Sequence, residues 1–279
     1  MDRRHATALI TGASSGIGRE LARVFAENHH SLILVARDRA RLDAVAAELH
    51  QRFLVPVRVE VCDLADRAAL EALISRLDAE HAVIDVLVNN AGVGIEGPFA
   101  EIDWPREREM LDVNVSALVR LTKAFLPQMV NRRSGRILQV ASTAAFQPGP
   151  YLSLYFATKA FVLSFSEGLS AELRGSGVTV TTLCPGPTHT EFERRLGTDS
   201  GLFDTGLPVA NAAPVAAYGY AALMKGKRVA VHGTVNRVLS FFSRILPNGI
   251  VLFFLGWAIG RKVVRGDLGS AKSKDFPAT

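Results

Sequence analysis

Thr7-Ala-Leu-Ile10 leads into Thr11-Gly-Ala-Ser-Ser-Gly-Ile-Gly18, and a helical pattern then runs from Gly16 to Asn28. A short apolar strand that breaks on glycines and restarts as a helix suits a backbone that must approach a pyrophosphate closely. Glycines clear the space, and the helix start offers free N–H groups and partial positive charge. The spacing is G-x-x-x-G-x-G, not the commoner G-x-G-x-x-G, and taken alone it also fits a plain tight strand–helix turn. Gly12, Ser14, Ser15, Gly16, Ile17 and Gly18 are therefore candidates for dinucleotide contact.

The rest of the chain repeats the alternation. Strand patterns at Thr7–Ile10, Ser31–Ala36, Val55–Val61, Val83–Val88, Arg136–Ala141, Val178–Cys184 and Arg228–Val231 are separated by helical ones. Those are Gly16–Asn28, Arg39–Gln51, Arg67–Ala79, Trp104–Asn131, Tyr155–Arg174 and Pro214–Lys225. Several strands are Val/Ile/Leu-rich without polar alternation, as strands buried on both faces must be. The pattern predicts a Rossmann-type, doubly wound α/β fold with a seven-stranded parallel sheet, helices on both faces and a single domain. Residues 1–235 read as the dinucleotide-binding catalytic domain. Within it, the Gly/Pro/Thr-punctuated stretch 186–214 reads as a lid with a short helix near Glu191–Leu196, and 236–279 as an apolar helical extension.

Over 279 residues, 48% hydrophobic and 21% charged content permits a large core. The net charge of +5 is spread along the chain, without the dense basic stripe that nucleic-acid binding requires. Cys62 and Cys184 fall in apolar runs and read as reduced, buried thiols; no metal site is expected. No apolar signal stretch stands ahead of Ala6, so the expected location is the cytoplasm.

Chemistry is carried further along. Tyr155-Phe-Ala-Thr-Lys159 puts a phenol and an ammonium one helical turn apart, thirteen residues after Ser142. A phenol titrates near 10, and a neighbouring cation lowers that value toward useful acid/base chemistry. With a dinucleotide cradle upstream, this points to hydride transfer. Each residue also has an ordinary reading: Ser142 as a turn residue, Tyr155 and Lys159 as a surface pair, Asn114 as a buried amide bonded to backbone.

Cofactor selectivity is read at the end of the second strand, where an acid favours NAD. Here Ala36 takes that place and Arg37 follows, a guanidinium able to hold the 2′-phosphate of NADP(H). Alternatively Arg37 is a solvated helix-start residue, with Asp38 capping the helix and NAD(H) as cofactor. Asp63 is a candidate for the adenine amino group or an N-cap. Asn90, Ala91 and Gly92 close the fourth strand, and Pro185, Gly186 and Thr188 follow the sixth, at the sheet edge where ligands bind.

Together these residues resemble the short-chain dehydrogenase/reductase family over about the first 235 positions. The resemblance rests on TGASSGIG at 11–18, NNAG at 89–92, Asn114, Ser142, Tyr155-x-x-x-Lys159 and PGPT at 185–188. It implies a catalytic tetrad of Asn114, Ser142, Tyr155 and Lys159, with Lys159 also on the nicotinamide ribose and Asn114 holding a proton-relaying water. It also implies a small carbonyl or alcohol substrate, and a homodimer or homotetramer paired through the two long helices. The branch it most resembles takes lipophilic substrates, as hydroxysteroid dehydrogenases and 3-oxoacyl reductases do. Gln139 and Phe156 depart from the family's usual Asn and Ser. The alternative function is a catalytically silent NADP(H)-binding regulator, against which the intact tetrad counts.

His189 reads as a solvent-facing loop residue, and Glu191 and Glu193 as the start of a short helix. From Val238 to Arg265 the chain is apolar and aromatic, and its longest uncharged run is 16 residues, interrupted by Pro247. A spanning helix needs about 20 apolar residues. The stretch 238–265 is expected to cover the pocket or pack on another subunit; the alternative is peripheral membrane contact, with Trp257, Arg261, Lys262 and Arg265 at the interface.

Overall fold

The computed structural model describes residues 5–196 and 208–253, apart from the side chains of 193–195. The middle of the expected lid (197–207) and the tail from 254, with Trp257, Arg261, Lys262 and Arg265, lie outside the described residues, as does the Glu193 side chain.

The first half alternates strictly: β1 (Thr7–Thr11), α1 (Gly16–Glu27), β2 (Ser31–Ala36), α2 (Arg39–Phe53), β3 (Val57–Val61), α3 (Arg67–Ala79) and β4 (Val86–Asn89). Next come α4 (Trp104–Leu111), a π turn over Asp112–Ala117, α5 (Leu118–Asn131) and β5 (Gly135–Val140). A 3-10 turn at Thr143–Phe146 precedes α6 (Ser153–Glu172) and β6 (Val178–Cys184). Two-residue strands β7 (Thr188–His189) and β8 (Ala210–Asn211) flank α7 (Glu191–Leu196). α8 (Ala212–Met224), β9 (Val229–Val231) and α9 (Thr234–Ile245) follow.

Seven strands form one parallel sheet in the order β3-β2-β1-β4-β5-β6-β9. Alternate side chains go to opposite faces, so each strand feeds two cores. Ala8, Ile10, Leu32 and Leu34 pack with α1, α2 and α8 on one face. Leu9, Ile33, Leu87 and Ile137 pack with α3, α5 and the end of α6 on the other. Each fully buried Leu or Ile contributes about 1.5–3 kcal/mol, enough to make the sheet a rigid platform. Strand order reverses between β1 and β4, which opens a crevice at the carboxyl edge. Every expected site residue but Tyr155 and Lys159 lies at that edge, on a turn, at the start of α1 or on β7, or, like Asn114, just behind it.

The expected elements are all present, with four informative differences. Trp104–Asn131 is not one helix: the π turn at Asp112–Ala117 divides it. β4 starts at Val86, not Val83, because side chains claim the preceding backbone. Gln128 accepts from the Ile84 N–H, Arg132 donates to the Ile84 carbonyl, and Asp85 accepts from the Thr7 N–H. α2 extends to Phe53 and ends on Leu54 in the left-handed region (φ 56°), which delays β3 to Val57. α8 begins at Ala212, so Pro214 occupies its first turn, where no helical donor is needed.

Candidate active site

The glycine turn is shaped by backbone proximity. Gly12 and Gly16 have φ of 65° and 54°, in the region that favours glycine. A methyl on Gly18 would lie 2.1 Å from the Gly12 carbonyl and 2.4 Å from Asn90 Nδ2. Asn90 ties the turn to β4: its Nδ2 donates to the carbonyls of Thr11 (2.9 Å) and Gly12 (3.3 Å). Thr11 Oγ1 accepts from the Asn90 and Ala91 N–H groups, both at 3.0 Å. Ser15, which caps α1, makes no side-chain capping bond, so the first-turn N–H groups keep no side-chain acceptor. Bare glycines and open helix donors fit a dinucleotide pyrophosphate.

A cavity of about 350 Å³ runs from this turn along the sheet edge. It is lined by Gly12, Ser14, Ser15, Gly16, Ile17 and Gly18, by Arg37 and Asp63, and by Asn90, Ala91 and Gly92. Ser142, Tyr155, Lys159, Pro185, Gly186 and Thr188 complete the expected set on its wall. Asn114 alone among them stands behind the wall. Gln147, Thr190, Glu191 and Phe192 line it too, and reading the sequence did not single out the first two or Phe192 at all. Their only signal is membership of segments whose folded position periodicity cannot give.

At the adenosine end, Arg37 Nη1 donates to Glu109 (2.9 Å) and stands 3.8 Å from Asp63, leaving further guanidinium donors for a ligand. Asp38 caps α2 by accepting from the Arg41 N–H at 3.0 Å, as one reading of the sequence had it. The cap of α3 is Asp66, which accepts from Ala68 and Ala69. Asp63 instead turns the chain by accepting from Ala65 (3.0 Å) and faces the cavity. Cys62, beside it, is free, and burial pushes its thiol up to about 11; Cys184 is also free and buried.

At the other end α6 presents Tyr155 and Lys159 side by side. Lys159 Nζ lies 5.8 Å from the Tyr155 ring centre and donates to the Val140 carbonyl at 3.1 Å. The expectation that the ammonium lowers the phenol is corrected here. Burial dominates and pushes Tyr155 up to about 12, opposed only by a hydrogen bond with Ser142. Burial likewise brings Lys159 down to about 8. The enclosure has identifiable walls: Phe192 packs on Tyr155 with ring centres 5.4 Å apart and Phe156 at 6.2 Å. Phe156 fits because residue 149 is glycine, where a methyl would lie 2.5 Å from its ring. Gln139 is fully buried and bonds Asn89 and Thr122, away from these groups.

Asn114 sits in the π turn with both ends of its amide engaged. Oδ1 accepts from the Val93 N–H and Nδ2 donates to the Val93 carbonyl, each at 2.9 Å, with Thr158 Oγ1 at 3.1 Å. This is the buried-amide arrangement. Gly92 keeps the space between it and the lysine open: a methyl there would lie 3.3 Å from Lys159 Nζ and 3.4 Å from Asn114 Oδ1.

The segment after β6 crosses over the cradle. Thr190 stands above Gly16, and Glu191, the first residue of α7, pairs with Arg41 at the start of α2. His189 is exposed, as expected.

Residues 6–201 match the model of the family described as short chain dehydrogenase. The chain belongs to that family. It is thereby an oxidoreductase, and its relatives sharpen the comparison. Sulfoacetaldehyde reductase 2 of Chromohalobacter salexigens is 40% identical over 199 residues, 70% of this chain and 78% of that protein. The NADP-dependent 3-hydroxy acid dehydrogenase YdfG of Salmonella typhimurium is 41% identical over 182 residues, 64% and 71% of the two chains. Among solved structures, a short-chain dehydrogenase from Sphingobium yanoikuyae in complex with NADPH superposes with a TM-score of 0.75 at 33% identity, over 97% and 99% of the chains. A bulky-bulky ketone specific alcohol dehydrogenase from Comamonas testosteroni does so with a TM-score of 0.74 at 30% identity, over 89% and 94%.

Proposed function

We propose that this oxidoreductase interconverts a carbonyl and an alcohol with NADP(H), on a lipophilic substrate, with Tyr155 as general acid/base. The observation that carries the reading is the meeting of Ser142, Tyr155 and Lys159 on the wall of a cavity continuous with the glycine cradle. Bound nicotinamide supplies or accepts the hydride. The chain's residues do the rest. Ser142 donates to the substrate oxygen and holds it where negative charge develops. Tyr155 hands its phenolic proton to that oxygen in reduction and takes one back in oxidation. Its raised pKa keeps it protonated at neutral pH, loaded as an acid. Lys159 holds the nicotinamide ribose and favours phenolate in the transition state. Asn114 is a positioning residue that fixes Val93 and the π turn; a relayed water would use the second lone pair of its Oδ1.

The NADP-dependent and NADPH-bound relatives support NADP(H) over NAD(H), and Arg37 is the residue that would hold the 2′-phosphate. Residues 1–235 form the catalytic domain in this reading, with 186–214 as its lid and 236–279 as an extension. A homodimer or homotetramer pairs through α4–α5 and α6, and the cytoplasm is its place. Phe156 and Phe192 beside the reacting groups favour apolar substrates.

NADPH absorbance followed against a panel from small aldehydes through 3-oxoacyl thioesters to ketosteroids tests the reading. Turnover of at least one carbonyl is expected, faster with NADPH than NADH, and Tyr155→Phe lowers it at least about 100-fold with cofactor binding nearly intact. Tight NADPH binding with no turnover across the panel would favour the regulatory alternative.

A further inference from the structure

We propose that α9 docks the enzyme on an anionic lipid surface. The helix is amphipathic, but its faces are reversed relative to the core. The side turned to the protein is polar: Asn236 and Ser240 are 8% and 7% exposed, and Ser243 donates to Gln147 at 2.5 Å. The outer side carries Val235, Val238, Leu239, Phe242 and Ile245, spaced three and four apart so that they form one stripe. All five are exposed, Ile245 at 63%, and Phe241 beside them at 60%. An ordinary surface helix turns such a stripe inward, and a contiguous apolar face left outward marks a binding surface. On this helix the side facing the pocket is the polar one.

Charge selects the occupant. From Thr234 to Arg265 the sequence contains Arg237, Arg244, Arg261, Lys262 and Arg265 and no Asp or Glu. Arg237 and Arg244 lie on α9 itself; Arg237 is exposed, whereas Arg244 stacks on Phe146 at 4.7 Å and stands 3.7 Å from Glu167, half of its side chain remaining exposed. A second copy laid on this face would set like charges against each other, whereas anionic headgroups attract each cation near their surface. Among the described residues no helix is long and apolar enough to cross a membrane, so the helix lies in the interface plane with its stripe in the acyl boundary.

The dock adjoins the pocket. Asn236 packs on Gly186, where a methyl would lie 2.3 Å from its Nδ2, and Gln147, held by Ser243, lines the cavity. A substrate dissolved in the lipid would enter beside the reacting groups; this delivery rests on the lipophilic-substrate reading above, the docking does not.

The test uses the full chain and vesicles of phosphatidylcholine with or without phosphatidylglycerol. The wild type is expected to co-sediment with the anionic vesicles, and Val238→Glu/Phe242→Glu/Ile245→Glu to lower the bound fraction at least about tenfold. The triple variant should keep the wild-type thermal midpoint, oligomeric mass and turnover of a small soluble aldehyde. Wild type that stays in the supernatant with both vesicle types overturns the proposal. A change of mass in the variant would make a second copy the occupant, and a fall in its thermal midpoint would show that the chain itself covers the stripe; either also overturns it. Tyr155→Phe separates this from the reaction: it should sediment like wild type whatever the fate of the catalytic reading.

Discussion

Tyr155 and Lys159 are both driven toward neutrality by the same enclosure, and this gives the pair a measurable pH signature. Lys159 titrates at about 8 in the folded chain against 10.5 for an ordinary lysine. At about 1.4 kcal/mol per pH unit, keeping that ammonium buried at pH 7 costs on the order of 3 kcal/mol. Lys159→Met should therefore stabilise the cofactor-free protein by about 1–3 kcal/mol at neutral pH, read as a higher urea midpoint, while abolishing turnover. Between about 8 and 10.5 the unfolded chain holds a proton that the folded chain has shed, so wild-type stability rises with pH and the variant's advantage shrinks. Tyr155 acts oppositely: folded it keeps its proton to about 12, so above its ordinary value of 10 stability falls again. The same lysine predicts that kcat/KM for NADPH falls above about pH 8, as the free enzyme loses the charge that meets the cofactor. A flat profile through pH 9 would remove Lys159 from cofactor binding. The four-residue spacing of this pair was plain in the sequence. Its electrostatics were not, because the walls that bury it, Phe192 and Phe156 against Gly149, come from separate segments.

The turns, more than the regular elements, carry the site's tolerances. Gly18→Ala puts a methyl against the Gly12 carbonyl and is expected to cost about 1–3 kcal/mol and weaken NADPH binding; calorimetry and fluorescence titration check both. Asn114→Ala leaves the Val93 N–H and carbonyl without partners and should cost about 3 kcal/mol in urea denaturation, with turnover falling in step. Strand and helix periods showed where nearly every element stands. They could not show the π turn, because Asp112–Ala117 continues the helical hydrophobic pattern and the extra residue is absorbed by backbone bonding alone. Nor could they separate cap from ligand contact at Asp63, which turns the chain and faces the cavity while Asp66 takes the cap of α3.

For the molecule as a whole, cofactor and fold are linked by mass action. NADPH at about 100 times its Kd should stabilise the native state by about 2.7 kcal/mol, and Arg37→Ala should lower that Kd advantage for NADPH by about 10- to 100-fold while leaving NADH almost unchanged. Equal loss with both cofactors would mean that Arg37 serves structure, through Glu109, and not selection. Seven strands running the same way also make the molecule strongly sided. The chain enters β1 at Thr7 on the edge opposite the cavity, and five residues of strand intervene before the glycine turn. At about 3.3 Å per residue, the start of that strand stands roughly 17 Å from the glycine turn. An immobilised or fluorescently labelled enzyme is thus best tethered by its beginning. That leaves the catalytic rim turned toward solution.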